Sequence, residues 1–274
     1  MKPDDFQLLS GILKERSGLV LTPDKAYLLE SRLGPLARKQ GLSDLDELIR
    51  AIRGRREEKL LSVVTEAMTT NESLFFRDLA PFDQLRRAIL PKLLAARAAS
   101  RRIRVWSAAC STGQEPYSIA MCLKEEGAAL AGWRIDILGT DLSSEVLEKA
   151  KSGLYSQFEV QRGLPIQMLM KHFAKVGDMW QANAALRAMV QYQQLNLLED
   201  LGRLGAFDVV FCRNVLIYFD QPTKAGVLER ISRLLPADGY LVLGGAETVL
   251  GVTERFVPLP GMRGIYGVAP QTKQ

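Results

Sequence analysis

The sequence predicts an α/β protein. Its main body is a doubly wound, mostly parallel sheet, preceded by a small all-helical domain and interrupted by a small inserted β-subdomain. Three observations carry this prediction. From residue 102 onward, short apolar runs alternate with amphipathic helical runs, the pattern of parallel strands covered on both faces. Ahead of that point the apolar spacing is helical only. Between residues 154 and 190 the alternation stops for longer than a structureless loop would run.

The helical part comes first. "DDFQLLSGILKERSG" places Phe6, Leu9, Ile12 and Leu13 at helical spacing, with Gly18 positioned to cap the end. "DKAYLLESRLGPLARKQG" repeats the pattern, and Gly34-Pro35 is expected to kink or break it. "SDLDELIRAIRG" opens with Ser43 as an N-cap and an acidic first turn. "REEKLLSVVTEAM" continues helically and loosens at Thr69-Thr70-Asn71. "APFDQLRRAILPKLLAARAAS" reads as a connecting helix. The expected boundaries are a helical domain over 1–78, a linker helix over 79–101, and the sheet domain over 102–270 with its insert at 154–190.

Within the sheet domain, "RIRVWSA" and "WRIDILGTD" are strands, each followed by a helix: "EPYSIAMCLKEEG" and the serine-capped "SSEVLEKAKSG". The insert is expected to hold a helix around Pro165–His172 and a hairpin in "HFAKVGDMWQAN". "MVQYQQL", "FDVVFC" and "GYLVLGGA" follow as strands, "QPTKAGVLERISRLL" as a helix, and the tail "RFVPLPGMRGIYGVA" as two short strands.

Composition narrows the class. A chain of 274 residues that is 47% hydrophobic can build a real core. No run approaches the ~18–20 uncharged apolar residues of a membrane span, and "MKPDDFQLL" carries no signal-like apolar stretch. Cys110, Cys122 and Cys212 are far apart and odd in number, which predicts reduced, buried thiols in the cytoplasm. The net charge of +5 is uneven: Arg86, Arg87, Lys92, Arg97, Arg101, Arg102 and Arg104 follow one another with no intervening acid. Such a stripe is either a solvated helix face or a surface for nucleic acid or an acidic protein.

In an open parallel sheet, ligands sit beyond the carboxyl ends of the strands. Four such ends carry polar residues here: the loop with Thr112, Gly113 and Glu115; Asp141; Asn196-Leu197; and Arg213-Asn214. Each alone is usually a cap or a turn. Together they describe a nucleoside site, with Asp141 placed to accept the hydroxyls of a ribose. Asn196 and Leu197 would serve the edge and the face of an adenine ring. One glycine in the first loop is too few for a pyrophosphate, which needs close backbone approach at a helix N-terminus. A nucleoside joined to a zwitterionic amino acid, S-adenosylmethionine, fits better.

"TTNESLFFRD", "RVWSAACSTGQEPYSIA", "DLSSEVLEKAKSGLY", "NLL" and "FDVVFCRNVLIYFD" together resemble the chemotaxis receptor methyltransferase family, CheR, over nearly the whole chain. The resemblance implies a fold of the S-adenosylmethionine-dependent methyltransferase type, whose helical domain faces the receptor. It implies methyl transfer from S-adenosylmethionine to glutamate side chains on the cytoplasmic helices of chemoreceptors, leaving S-adenosylhomocysteine. Cofactor contacts are implied from Asn71, Ser73 and Arg77 on the linker side. On the sheet side they are implied from Glu115, Asp141, Asn196, Leu197, Arg213 and Asn214, with Glu115 facing the methionine ammonium. Arg77 and Tyr218 are the candidates for holding the acceptor carboxylate, and His172 is expected to be structural. No metal is implied. The expected partner is a chemoreceptor cytoplasmic domain, met by a cytoplasmic monomer that neither enters the membrane nor binds nucleic acid. Arg32, Arg38 and Lys39 would meet an acidic receptor surface.

The sequence also departs from the family. Ser73 stands where threonine is usual, Gln114 replaces a common glutamate, and "GGAET" replaces Gly-His-Ser-Glu. Relatives that tether to a receptor's C-terminal pentapeptide carry a Gly-x-Gly lengthening in the subdomain hairpin. "AKVGDMW" has none, so independence of that tether is expected. A small-molecule or nucleic-acid acceptor stays open as an alternative, as does a non-catalytic cofactor-binding module. The amide-methylating Asn/Asp-Pro-Pro-aromatic motif is missing, since Val215 follows Asn214.

Overall fold

The computed structural model describes residues 1–55 and 57–270; Arg56, which opens the fourth helical run, lies outside them. The chain forms two compact units. One is Met1–Thr70 with Tyr218–Thr223, and the other is Asn71–Ile217 with the chain from Lys224 on.

The helical unit contains α1 (Pro3–Ser17), α2 (Ala26–Lys39), α3 (Leu45–Arg55) and α4 (Glu58–Met68). Proline in the first turn of α1 needs no N–H there, and Asp4 and Asp5 suit the positive end of the helix dipole. Leu9, Leu13, Leu29, Leu33, Leu48, Ile52 and Val64 close the core with no exposed surface. The segment Tyr218–Thr223 is held here by the Val20 N–H, which donates to the Tyr218 carbonyl at 2.9 Å, and by Lys14 paired with Asp220 at 2.7 Å.

Three expectations for this unit change. α2 runs through Gly34-Pro35 rather than breaking. Ser31 and Pro35 are both exposed, so the carbonyl that loses its amide partner can be met by water, while Leu29, Leu33 and Ala37 hold the opposite face in the core. The α3 cap is Asp44 rather than Ser43: Asp44 Oδ1 accepts the Glu47 N–H at 2.8 Å, and the Glu47 carboxylate reaches back to the amide and hydroxyl of Ser43. Arg32 is committed to the end of α4, donating to the carbonyls of Met68 and Thr69 at 2.7 and 2.9 Å. Arg38 and Lys39 stay exposed.

In the larger unit, residues 71–79 form neither helix nor strand. Residues 71–78 are expected in the helical domain, but Phe75 and Phe76 are buried in the sheet unit's core, and Phe75 meets Tyr155 and Phe173 edge-on at 5.0 and 5.6 Å. The expected linker helix is α5 (Ala80–Gln84), a π-helical turn (Leu85–Ile89) and α6 (Leu90–Ala96). It packs into the same core, where Phe82 stacks on Phe211.

β1 (Arg102–Ala108), α7 (Gln114–Glu125), β2 (Arg134–Asp141) and α8 (Ser144–Ser152) follow as the strand–helix alternation predicts. The insert holds β3 (Leu154–Ser156), α9 (Gln157–Gln161), α10 (Ile166–His172), β4 (Phe173–Val176), β5 (Met179–Ala182) and α11 (Ala184–Arg187). Its three strands make a sheet of their own in the order β3-β5-β4, antiparallel throughout. Val176 pairs with Met179, so Gly177 and Asp178 alone make the β4–β5 turn. His172, in the insert, is 1% exposed and shares a hydrogen bond with Glu125 at 2.8 Å, the structural place expected of it.

The chain closes with β6 (Val190–Gln194), β7 (Val209–Cys212), α12 (Gln221–Ser232), β8 (Tyr240–Leu243), β9 (Phe256–Pro258) and β10 (Ile265–Val268). The main sheet runs β6-β2-β1-β7-β8-β10-β9. The first five strands in that order are parallel, and β10 and β9 add an antiparallel edge.

The basic stripe is largely spent inside this unit. Arg86 pairs with Glu126, Arg97 with Asp208 and Asp238, and Arg102 with Asp136. Arg104 donates to the carbonyls of Leu204 and Ala206 and lies over the Phe207 ring. All three cysteines are buried and free. Among the described residues, no helix is long and apolar enough to cross a membrane.

Candidate functional site

Register brings five loops to one edge of the sheet. Ala108, at the end of β1, pairs with Thr140 of β2 and Cys212 of β7. Asp141 pairs with Gln194 of β6, and Cys212 with Leu243 of β8. The segments 109–115, 141–143, 195–198, 213–217 and 244–247 therefore leave from the same carboxyl edge. The chain steps from β1 to β2 on one side and later places β7 on the other. That reversal opens the crevice in which such sheets bind ligands.

The backbone at this edge is unusual. Phe76, Asp78, Leu79, Ala109, Ser111 and Asn214 all have φ between 38° and 67°, a region that side chains disfavour. Side chains from neighbouring elements hold four of these positions. Ser118 Oγ accepts the Phe76 N–H at 2.9 Å, Asp141 Oδ2 the Ser111 N–H at 2.8 Å, and Glu247 Oε2 the Asn214 N–H at 2.8 Å. Asp78 accepts from Arg213 at 2.7 Å.

Segment 71–78 is tied to the sheet edge at three points. The Asn71 carbonyl accepts from Ser111 Oγ at 2.7 Å, Phe76 is held by Ser118, and the Arg77 carbonyl accepts from Arg213 at 2.9 Å. Asn71, Ser73 and Arg77 are thus anchored within the sheet unit, with half-buried side chains. Among the described residues the Arg77 guanidinium donates no hydrogen bond. Glu72 is held below the ordinary carboxylate range first by its hydrogen bond from Arg162, with the Arg77 charge adding to the effect.

Glu115 stands in the first turn of α7, behind Gly113, whose φ of 93° needs glycine and whose missing Cβ would sit 2.8 Å from Ala150. The Glu115 carboxylate accepts from Ser107 Oγ at 2.8 Å and from Arg213 at 2.9 Å. Asp141 accepts backbone N–H groups on both oxygens, from Ser111 and Ser143, and is 6% exposed. Ionised carboxylates have about four acceptor positions, so both can also receive the groups of a ligand. Asn196 Oδ1 accepts the Leu198 N–H at 3.0 Å, fixing that turn, and Leu197 is buried, its carbonyl accepting from Arg230.

Arg213 was expected to touch the cofactor. Its side chain is 1% exposed; Nη1 and Nη2 donate to Glu115, the Arg77 carbonyl and Asp78, binding the β7 loop to α7 and to segment 77–78, while the buried Nε has no partner among the described residues. Tyr218 falls in the short segment that belongs to the helical unit. The residues brought together in the sheet unit are Asn71, Ser73, Arg77, Glu115, Asp141, Asn196, Leu197, Arg213 and Asn214.

Sequence reasoning missed the second rank of polar residues. Ser107, Ser111 and Ser118 are small hydroxyls within or just after apolar runs, which carry no signal by themselves. Glu247 carries a signal, as a carboxylate shortly after the fifth parallel strand, within the variant motif "GGAET".

The donor set suits S-adenosylmethionine. It offers a fixed carboxylate at the end of β2, a second at the start of α7, and an amide with an apolar neighbour after β6. Residues 71–265 match the CheR methyltransferase SAM-binding domain, and residues 4–69 match the CheR all-alpha domain. The chain is 42% identical to chemotaxis protein methyltransferase 1 of Pseudomonas aeruginosa, over 92% of this chain and 93% of that one. It is 40% identical to a chemotaxis protein methyltransferase of Pseudomonas putida, again over 92% and 93%. Against the chemotaxis protein methyltransferase of Escherichia coli it is 36% identical, over 92% and 86%. With a helical domain and a cofactor domain matched in order along the chain, this protein belongs to the CheR methyltransferase family.

Proposed function

We propose that this protein methylates glutamate side chains on the cytoplasmic helices of chemoreceptors, using S-adenosylmethionine, and so serves adaptation in chemotaxis signalling. It would act as a cytoplasmic monomer. The observation that carries the reading is the carboxyl edge of the sheet, where the carboxylates of Asp141, at the end of β2, and Glu115, in the first turn of α7, are fixed by bonds from the chain itself.

When bound, S-adenosylmethionine supplies a methyl group on a positively charged sulfur. Asp141 would accept the ribose hydroxyls, Asn196 and Leu197 would hold the adenine, and Glu115 would face the ammonium of the amino-acid end. Asn71, Ser73 and Arg77 would complete the site from the other side, while Arg213 keeps Glu115 in place. An acceptor glutamate with an ordinary pKa of about 4.3 is ionised at neutral pH. Its oxygen takes the methyl as the carbon–sulfur bond breaks, giving an ester and a neutral thioether. No proton moves, so no general base is required, in keeping with the buried place of His172. What the chain must supply is orientation. Arg77 is assigned to the acceptor carboxylate. Arg77 must hold it loosely, because methylation removes the charge that a tight ion pair would stabilise in the ground state.

Receptor docking is assigned to the exposed basic residues of the helical unit, Arg38 and Lys39. Arg32 has a structural task instead. Nucleic acid is a poor partner for the basic stripe over 86–104, since Arg86, Arg97 and Arg102 already have carboxylate partners. The two-residue β4–β5 turn supports independence of a pentapeptide tether.

The test is incubation with methyl-labelled cofactor and receptor cytoplasmic fragments. Label released by mild base as a carboxyl ester is the expected result. Base-stable label, or no label on the receptor beyond that seen without this protein, would refute the assignment.

A further inference from the structure

Glu247 lies just beyond β8 and has no part in the assignments above. It is 9% exposed, yet its carboxylate accepts from five backbone N–H groups. Oε2 takes Asn214 at 2.8 Å and Gly244 at 2.7 Å; Oε1 takes Val215, Leu216 and Ile217 at 3.0, 2.7 and 3.3 Å. Peptide dipoles rather than a cation therefore balance its charge. The turn it closes begins with Asn214 at φ 59°, a conformation that persists only where surrounding groups over-determine it. Gly244 completes the arrangement from the other side: a Cβ there would stand 2.7 Å from Glu247 Oε2 and 2.8 Å from Asn214 Nδ2. Donors converging on both oxygens call for a group that only accepts. Glutamine would turn an NH₂ toward one set of N–H groups.

We propose that Glu247 is a positioning residue for methyl transfer, clamping the 214–217 turn so that the Asn214 side chain is presented to the cofactor. The proposal rests on the reading of Asn214 as a cofactor contact. It is tested by titrating S-adenosylhomocysteine into the full chain in a calorimeter, comparing wild type, E247Q, G244A, N214A and the double variant E247Q/N214A. E247Q and G244A are each expected to bind about tenfold more weakly, the scale of a lost or misdirected hydrogen bond. The double variant is expected to bind no more weakly than N214A alone, because Glu247 acts through Asn214. A residue that only stabilises the fold would lower the unfolding midpoint without that coupling. Unchanged affinity in E247Q, or losses that multiply in the double variant, would overturn the proposal. Should E247Q fail to fold, E247D, which keeps the charge but draws the carboxylate back from the 214–217 amides, takes its place in the same cycle with N214A and decides it. A wild-type chain with no affinity for S-adenosylhomocysteine would overturn the cofactor reading and this proposal together. Wild-type binding with an indifferent E247Q overturns this proposal alone.

Discussion

Removing the Arg213 side chain asks which of its contacts matters. The guanidinium is 1% exposed and reaches two carboxylates of unequal standing: Glu115 is 13% exposed and Asp78 is 53% exposed. An exposed ion pair contributes about 0–1 kcal/mol. Taking one partner from a buried pair costs about 3–5 kcal/mol, mainly because the other charge is left behind. The Glu115 contact should therefore decide the outcome. R213A is expected to lose about 3–5 kcal/mol of unfolding free energy, and D78A no more than about 1 kcal/mol. R213K should fall between, since a single ammonium cannot reproduce the planar fork that spans Glu115 and the 77–78 turn. The double variant R213A/E115Q should be more stable than R213A, because no buried charge is then left unpaired. Urea unfolding followed by tryptophan fluorescence measures this selectively: Trp106, Trp133 and Trp180 all lie in the sheet unit. Slopes must match wild type for the comparison to hold. A double variant no more stable than R213A, or D78A as costly as R213A, would refute the reasoning.

Three further outcomes are expected. Asp220 is depressed to about 2, chiefly by its hydrogen bond with Lys14 and then by those with Thr223. Because the folded value lies below the unfolded one, this contribution is present above about pH 4 and lost as the pH falls toward 2; an acid-unfolding profile of the helical unit unchanged by D220N would count against it. Burial raises the thiols of Cys110 and Cys212 well up and that of Cys122 to about 12, so a thiol reagent at pH 8 should label none of the three until the chain unfolds. A pentapeptide of the tethering type should give no heat on titration, and a receptor lacking its tail should be methylated normally. Saturable binding that maps to residues 172–190 would defeat that expectation.

Legibility in the sequence followed the range of the interactions involved. β1 and β2 were readable because a strand buried on both faces is a nearly continuous apolar run ended by polar residues, and Asp141 marks such an end. The tight β4–β5 turn was readable because Gly177-Asp178 is short-range turn chemistry. Residues 71–78 were placed in the wrong unit because apolarity says that Phe75 and Phe76 are buried but not in which core. Pro35 looked like a break, and only the exposure of Ser31 shows why α2 continues. Ser43 and Asp44 are both good caps, and only the Glu47 geometry separates them. The partners of Arg213 and Glu247 were out of reach: Glu115 and Arg213 are 98 residues apart, and Glu247 and Asn214 are 33 apart.

Those long-range bonds explain how the site tolerates its backbone. Each left-handed residue costs on the order of 1–3 kcal/mol, and six stand at one sheet edge. A chain left to itself would relax them. Here Ser118, Arg213, Asp141 and Glu247 each satisfy a group on one of these residues, and every one of the four comes from a different element. Asp141 shows the economy of the arrangement, since the side chain assigned to the ribose also fixes the Ser111 amide of the adjoining loop. The binding groups and the groups that hold the strained loops are therefore partly the same atoms. A substitution that weakens cofactor binding at Asp141 should then also loosen the loop after β1. Site and scaffold cannot be varied independently at this edge.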